Sequence, residues 1–297
     1  MTCVDRHLAL VNLARLMELG EGAPHVRVGL IDGMPALDHP DLARDRVRVL
    51  SASQVPLDVN QESCAHATFV AGVLAARRGS VAPAICPGCV LLVRPAFAPS
   101  KRGNGQTPTA DPQELADAII ETVEARVRVI NLSLALAQPS NTRNPGLEEA
   151  LDHAAHRGVI IVVSAGNQGA LGTSPLTRHP WVIPVVACDL GGRPMALSNL
   201  GNSIGRRGLA APGARVTSLG AEGPPLTFQG TSAAAPFVTG AVALLWSQFP
   251  AAPAVEVRSV LTNTAAHRRK TVVPPLLDAW AAYQGLRMLR EGDGSHD

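Results

Sequence analysis

Apolar positions along the chain fall into short runs that predict buried β-strands. Each run has four to six residues dominated by valine, isoleucine and leucine. The runs cover residues 26–31, 90–93, 127–130, 159–163 and 182–186. Runs that are mostly apolar, without a regular alternation of polar positions, are typical of parallel strands that are buried on both faces.

Segments with helical spacing of apolar residues lie between and after these runs. They cover residues 71–77, 112–125, 147–157, 256–264 and 276–289. Asp111 is suited to cap the second of these helices with Pro112 in its first turn, and Gly158 is suited to end the third. The alternation predicts an α/β fold of three layers, α/β/α, with a mostly parallel central sheet and its functional residues at the carboxyl ends of the strands.

The pattern contains no internal repeat and no low-complexity linker that would separate two domains. We therefore expect residues 1–297 to form a single domain. Its core is predicted over about residues 26–250, two bracing helices over 251–290 and a frayed polar tail over 291–297.

Composition excludes several classes of function. The chain has 297 residues, 46% hydrophobic and 17% charged, which is enough apolar material for one large core. The formal net charge is only +2, and no run of lysine and arginine exceeds three residues. An extended basic face for the phosphate backbone is therefore not encoded, and nucleic acid is not an expected partner.

The sequence also argues against a membrane protein. No apolar run approaches the ~20 residues that a membrane span requires. The first 20 residues carry Asp5, Arg6, Arg15 and Glu18 among leucines and lack the pattern of a secretory signal. Five cysteines, an odd number, fit a reducing compartment. We expect a cytoplasmic protein without a membrane partner.

One cysteine pair has more than one interpretation. Cys86-Pro-Gly-Cys89 can be two inert thiols, a small disulfide across a surface turn, or a redox or metal-binding pair. A zinc site needs about four ligands, and no second pair is present in the sequence.

Four polar residues lie at strand exits or helix starts: Asp32, His66, Asn167 and Ser232. Each alone has an ordinary structural explanation, since a carboxylate can cap a turn, a histidine can pack in a core and a serine can cap a helix. Together they supply a nucleophile, a base, a group that orients the base and an amide donor for an oxyanion. Acyl transfer requires this set of groups.

The blocks around these residues resemble a known family. Ile-Asp-Gly, His-Ala-Thr-Phe-Val-Ala-Gly, Ser-Ala-Gly-Asn and Gly-Thr-Ser-Ala-Ala-Ala-Pro follow one another in this order, and they are similar to the signature blocks of subtilisin-like serine proteases. The resemblance covers about residues 26–250 and implies the subtilisin-like fold. It implies that Ser232 is the nucleophile, His66 the general acid/base, Asp32 the group that orients the imidazole, and Asn167 the oxyanion donor.

The resemblance also implies a substrate-binding groove. Where relatives have serine-leucine-glycine, this chain has alanine at position 135, and the added methyl group narrows the groove. The implied substrate-binding residues carry no charge, so we expect an uncharged residue before the cleaved bond. They are Ser133, Leu134, Ala135, Ser164, Ala165, Gly166 and Thr231.

No cofactor and no metal ion are expected. Secreted relatives bind calcium through a long loop in the histidine-bearing region, whereas residues 77–83 here are too few to surround an ion, and no acidic cluster has suitable spacing. We predict that a chelator does not lower the melting temperature. Only 31 residues precede Asp32, fewer than the propeptide of secreted relatives occupies.

A narrower resemblance concerns the substrate, which is the expected partner of the chain. Val81-Ala-Pro, Cys86 and the segment Arg94-Pro-Ala-Phe97 are similar to the protease domains that mature cyanobactin-type ribosomal peptides. This implies an endopeptidase that processes a peptide or protein precursor inside the cell. The alternatives are a general protein-degrading protease and a protease scaffold that binds peptide without cutting it. The oligomeric state is not predicted.

Overall fold

A parallel seven-stranded sheet forms the centre of the computed structural model, which describes residues 3–50, 61–96, 111–133, 143–262 and 271–293. The strands are β1 (Arg27–Asp32), β2 (Val47–Val49), β3 (Val90–Pro95), β4 (Val129–Leu132), β5 (Ile160–Ser164), β6 (Ile183–Cys188), β7 (Leu209–Pro212), β8 (Val216–Ser218) and β9 (Leu226–Phe228). The last two pair antiparallel in a separate small sheet.

The helices lie before, between and after these strands. They are α1 (Cys3–Leu10), α2 (Leu13–Met17), α3 (Gln61–Ala75), α4 (Pro112–Glu124), α5 (Pro145–His156), α6 (Pro175–Arg178), α7 (Asn202–Arg207), α8 (Thr231–Gln248), α9 (Ala254–Thr262) and α10 (Ala279–Asp293). None of the helices in the described ranges combines the length and apolar character needed to cross a lipid bilayer.

The strand order is β2-β3-β1-β4-β5-β6-β7, and every neighbouring pair in this sheet is parallel. All five strands predicted from apolar runs are present as β1, β3, β4, β5 and β6. The α/β/α fold class is therefore confirmed. Register places Ile31 of β1 beside Leu132 of β4, so that residues following these two strands meet at one edge of the sheet.

Two layers of helices cover the two faces of the sheet. One apolar cluster joins the sheet to α1, α2, α3, α8, α9 and α10, and a second joins it to α4, α5 and α6. Helix α8 is buried along nearly its whole length, including Trp246. A helix that is apolar all round must lie inside the protein, and α8 accordingly packs against β4, β5, β6 and β7.

Several elements differ from the sequence prediction. Helix α3 begins at Gln61, ten residues before the predicted start, because its first turns carry small and polar side chains without apolar periodicity. His66 therefore lies in the second turn of α3. Strands β2, β7, β8 and β9, each of three or four residues, were not predicted.

The C-terminal part also differs in its bounds. Helix α10 extends to Asp293, into the segment that was expected to fray. Three parts of the predictions lie outside the described residues: residues 263–264 of the helix predicted over 256–264, Phe97 of the narrower motif, and tail residues 294–297.

Candidate active site

Asp32 is the last residue of β1, and its side chain is fully buried at the carboxyl edge of the sheet. Its Oδ1 accepts the backbone N–H of Gly33 at 2.7 Å. Its Oδ2 is buried and has no hydrogen-bond partner within the described part of the chain. At position 33 a Cβ atom would lie 2.6 Å from the Ser63 carbonyl oxygen, so the glycine allows α3 to approach β1.

His66 projects from α3 towards this carboxylate. Its Nδ1 lies 2.9 Å from Asp32 Oδ1, and its side chain is 26% exposed while that of Asp32 is completely buried. Burial by itself lowers the pKa of His66, but the charge of Asp32 and the hydrogen bond to it outweigh burial. The pKa of the imidazole is therefore raised above its ordinary value.

An aromatic side chain that sequence reasoning missed lies beside this imidazole. The ring of Phe228, at the end of β9, has its centroid 6.1 Å from that of His66 and 4.8 Å from that of Phe69. Phe228 lies three residues before the start of α8, so β9 leads directly into the helix that contains Ser232.

Ser232 is the second residue of α8 and is half-buried. Gly230 precedes the helix with φ +124°, and a Cβ there would also lie 2.9 Å from Asn167 Oδ1, so glycine is required at this turn. The Ser232 N–H is one of the first-turn donors that a helix leaves unpaired. Among the described contacts, no hydrogen bond joins Ser232 Oγ to His66. Such bonds are often long before substrate binds.

Asn167 follows β5 and is held by one end of its amide. Its Oδ1 accepts the backbone N–H of Thr231 at 2.9 Å and the Thr231 hydroxyl at 3.0 Å. Because the carbonyl end is engaged twice, the Nδ2 donor is left for a ligand. The residue is exposed, whereas Thr231 is fully buried.

The predicted substrate-binding residues that the structure describes lie at the same carboxyl edge of the sheet. Ser133 follows β4, and its hydroxyl donates to the Ser232 carbonyl at 3.1 Å. Ser164, Ala165 and Gly166 continue from β5 and are buried. Thr231 contacts Gly166 as well as Asn167, since its hydroxyl accepts the Gly166 N–H at 3.2 Å.

Two of the sequence-predicted substrate residues, Leu134 and Ala135, lie outside the described residues. Within the described ranges, no three histidine, cysteine or acidic side chains are grouped so that they could hold a metal ion.

Cys86 and Cys89 are separate buried thiols at a turn closed by a 3.0 Å hydrogen bond from the Cys89 N–H to the Cys86 carbonyl. A hydrogen bond between the two side chains raises the pKa of the Cys86 thiol, and burial raises it further. The same bond lowers the pKa of Cys89. The turn begins β3 and is separate from the site around His66.

This arrangement contains the groups that acyl transfer needs. A carboxylate fixes Nδ1 of an imidazole and leaves Nε2 for proton exchange, and a hydroxyl lies at a helix N-terminus where the dipole favours negative charge. A side-chain amide and a first-turn N–H are available to an oxyanion.

Comparison with known proteins agrees with this geometry. Residues 25–285 match the model of the subtilase family, Peptidase_S8. The chain belongs to the subtilase family. This confirms the resemblance found in the sequence.

Several subtilisins are similar to the chain over most of its length. Subtilisin from Bacillus pumilus is 28% identical over 267 residues, which cover 88% of this chain and 90% of the relative. Subtilisin BL from Lederbergia lenta is 31% identical and covers 76% of this chain and 78% of the relative. Against subtilisin NAT from Bacillus subtilis subsp. natto, identity is 28%; the match covers 88% of this chain but 65% of that relative.

Solved structures with the same fold include peptide-maturation proteases. The prenylagaramide maturation protease PagA superposes with a TM-score of 0.80 at 24% identity, covering 92% of this chain and 98% of that one. The patellamide maturation protease PatA superposes with a TM-score of 0.77 at 27% identity, covering 90% and 98%. The MycP3 protease of a type VII secretion system has a TM-score of 0.74 at 26% identity, covering 94% and 87%.

Proposed function

We propose that this chain hydrolyses peptide bonds through Ser232, His66 and Asp32, by way of an acyl-enzyme. The observation that carries the proposal is the 2.9 Å hydrogen bond between His66 Nδ1 and Asp32 Oδ1, at the sheet edge where Ser133 contacts the carbonyl of Ser232. This bond commits Nδ1 as the donor and leaves Nε2 as the proton acceptor.

In the first step, His66 Nε2 takes the proton of Ser232 Oγ as the oxygen attacks the carbonyl carbon of the substrate. The imidazolium that forms is stabilised by the Asp32 carboxylate, which keeps its charge. The carbonyl oxygen becomes an oxyanion and receives hydrogen bonds from Asn167 Nδ2 and the Ser232 N–H.

The tetrahedral intermediate collapses when His66 returns the proton to the leaving nitrogen, which releases the amine product and leaves an acyl-enzyme on Ser232. Water then attacks the ester carbonyl while His66 takes its proton, and His66 returns that proton to Ser232 Oγ as the bond from Oγ to the acyl carbon breaks and the acid product leaves. In this scheme Thr231 contributes by holding the carbonyl end of Asn167, so that the amide donor keeps its direction.

We further propose that the substrate is a peptide or protein precursor that the enzyme processes inside the producing cell. PatA is a maturation protease by its title, and its likeness to this chain at 27% identity supports this substrate class. The uncharged Ser133 and 164–166 segments favour an uncharged residue before the cleaved bond.

The experiment is to incubate the purified chain with casein and, separately, with synthetic peptides that carry a leader and a core segment. Mass spectrometry identifies the products, and the Ser232→Ala variant is the control. We expect discrete cuts in the peptides and slow digestion of casein. Rapid breakdown of casein would indicate the general protein-degrading alternative. Peptide binding without cleavage would indicate a non-catalytic scaffold.

A further inference from the structure

The carbonyl group of Ser232 has no hydrogen-bond donor within its own helix. In an α-helix the carbonyl of residue i accepts the N–H of residue i+4, which for Ser232 is Pro236. Proline has no N–H, and Pro236 lies inside α8. A buried carbonyl that stays unpaired destabilises the structure, so another group has to supply the donor.

A chain of three hydrogen bonds supplies it from outside the helix. Ser133 Oγ donates to the Ser232 carbonyl at 3.1 Å, and Asn131 Nδ2 donates to Ser133 Oγ at 2.7 Å. Thr239 Oγ1 then donates to Asn131 Oδ1 at 2.8 Å. Ser133 is 3% exposed, and Asn131 and Thr239 are fully buried.

These three hydrogen bonds join the β4 segment to two points on helix α8. Asn131 and Ser133 are two residues apart, so their side chains leave β4 on the same face. Ser232 and Thr239 are seven residues apart, about two helical turns, and so share one side of α8. The side chains of Asn131, in β4, and Ser133, directly after β4, therefore contact α8 at its third turn and at its second residue.

We infer that Asn131 and Thr239 are positioning residues for the nucleophile. They orient the Ser133 hydroxyl, which fixes the peptide unit of Ser232 and thereby its Oγ and N–H. Neither residue touches substrate. The inference rests on the proposed role of Ser232 and extends it to two residues that the catalytic steps do not use.

The test compares Thr239→Val, which removes the hydroxyl at nearly constant shape, with Thr239→Ser, which keeps it. Steady-state hydrolysis of an N-acylated peptide p-nitroanilide is measured, and each rate is divided by the active sites titrated with a fluorophosphonate. We expect kcat of Thr239→Val to fall about tenfold with KM within about twofold, since a buried amide oxygen loses its donor. Thr239→Ser should restore kcat.

Thr122→Val is the matched control. Thr122 is also a fully buried helix threonine whose hydroxyl donates to the carbonyl four residues earlier, as Thr239 does to that of Ala235. It lies on α4, on the opposite face of the sheet. We expect kcat per titrated site to stay within about twofold of wild type, because Thr122 has no link to Ser232.

A double-mutant cycle with Ser133→Ala keeps the inference testable even where a single variant folds poorly. If the effect passes through Ser133, Thr239→Val should change kcat by less than about twofold in the Ser133→Ala background. An unchanged kcat in Thr239→Val, or an equal loss in both backgrounds, would overturn the positioning role. A wild-type protein that does not react with fluorophosphonate would instead refute the proposed function itself.

Discussion

Asp32 Oδ1 accepts two hydrogen bonds at once, from His66 Nδ1 at 2.9 Å and from the Gly33 N–H at 2.7 Å. The bond from Gly33 fixes the carboxylate, and the carboxylate fixes the ring. Since the imidazole cannot turn without breaking its bond to a fully buried partner, Nε2 is the one ring nitrogen left for proton transfer.

Exchange of this carboxylate should change both the rate and its pH dependence. A base must be neutral to accept a proton, so kcat/KM rises with pH through the pKa of His66, which Asp32 holds above its ordinary value. In Asp32→Asn the negative charge is lost, so the pKa of His66 falls and the rising limb moves to lower pH. Hydrolysis rates measured across pH should show this shift.

The same variant should lose about 10⁴-fold in kcat, the loss known for this exchange in a serine protease of another fold. Asp38→Asn is the control, because it removes the same charge from the loop after β1. We expect the rate of this variant to be unchanged. A rising limb that stays at the same pH in Asp32→Asn would show that Asp32 does not set the pKa of His66.

Loss of the Asn167 amide donor should lower kcat and leave KM nearly unchanged, because the oxyanion exists only after attack on the carbonyl. For Asn167→Leu we expect a loss of about 10²- to 10³-fold, the range known for one oxyanion donor in subtilisin. Thr231→Val, which keeps the N–H bonded to Asn167 Oδ1 but removes the hydroxyl, should lose much less. Equal losses in the two variants would contradict the assignment of Asn167 as the donor.

We expect that cleavage does not require a basic residue before the cleaved bond. The described segments expected to flank this position, Ser133 and residues 164–166, carry no charged side chain that would pair with one. A randomised peptide library sequenced by mass spectrometry should show uncharged residues at this position. Strict cleavage after arginine or lysine would contradict the expectation.

Arg94 should contribute to stability because its guanidinium is buried between two carboxylates of α4. It lies 2.6 Å from Glu114 Oε1 and 2.6 Å from Glu121 Oε2, and it also donates to the Pro95 carbonyl. Arg94→Met leaves Glu114 and Glu121, which are 24% and 32% exposed, without their cation and should lower the free energy of unfolding by about 2 kcal/mol in urea titrations.

The control for Arg94 is an exposed ion pair. Arg193 pairs with Asp189 at 3.2 Å on the surface, where its side chain is 83% exposed. Arg193→Met should leave the free energy of unfolding nearly unchanged. A similar effect of both variants would mean that the buried pairs of Arg94 do not stabilise the fold.

The sequence predicted the parts of the fold that depend on local pattern. Apolar runs are sufficient to locate strands buried on both faces, and Asp111 caps α4 as expected, with its side chain accepting the N–H groups of Gln113 and Glu114. The signature blocks predicted functional residues at the carboxyl edge of the sheet, and the structure has Asp32 at the end of β1, Asn167 shortly after β5, and Ser232 in contact with Ser133.

Features that depend on tertiary contacts could not be predicted in this way. The start of α3 has no apolar periodicity, and β2 exists only because β3 pairs with it. The hydrogen bond from Thr239 to Asn131 joins residues 108 positions apart, and the one from Ser133 to Ser232 joins residues 99 positions apart. Two local features of the sequence are consistent with these hydrogen bonds once the structure is known. One is an asparagine inside an apolar strand, and the other is a proline four residues after Ser232.

The most direct measurement of the central claim is covalent labelling of the purified chain with a fluorophosphonate, followed by peptide mapping. We predict a single phosphonylated residue, Ser232, with labelling abolished in Ser232→Ala and strongly slowed in His66→Ala. Absence of labelling, or labelling that persists in Ser232→Ala, would contradict it.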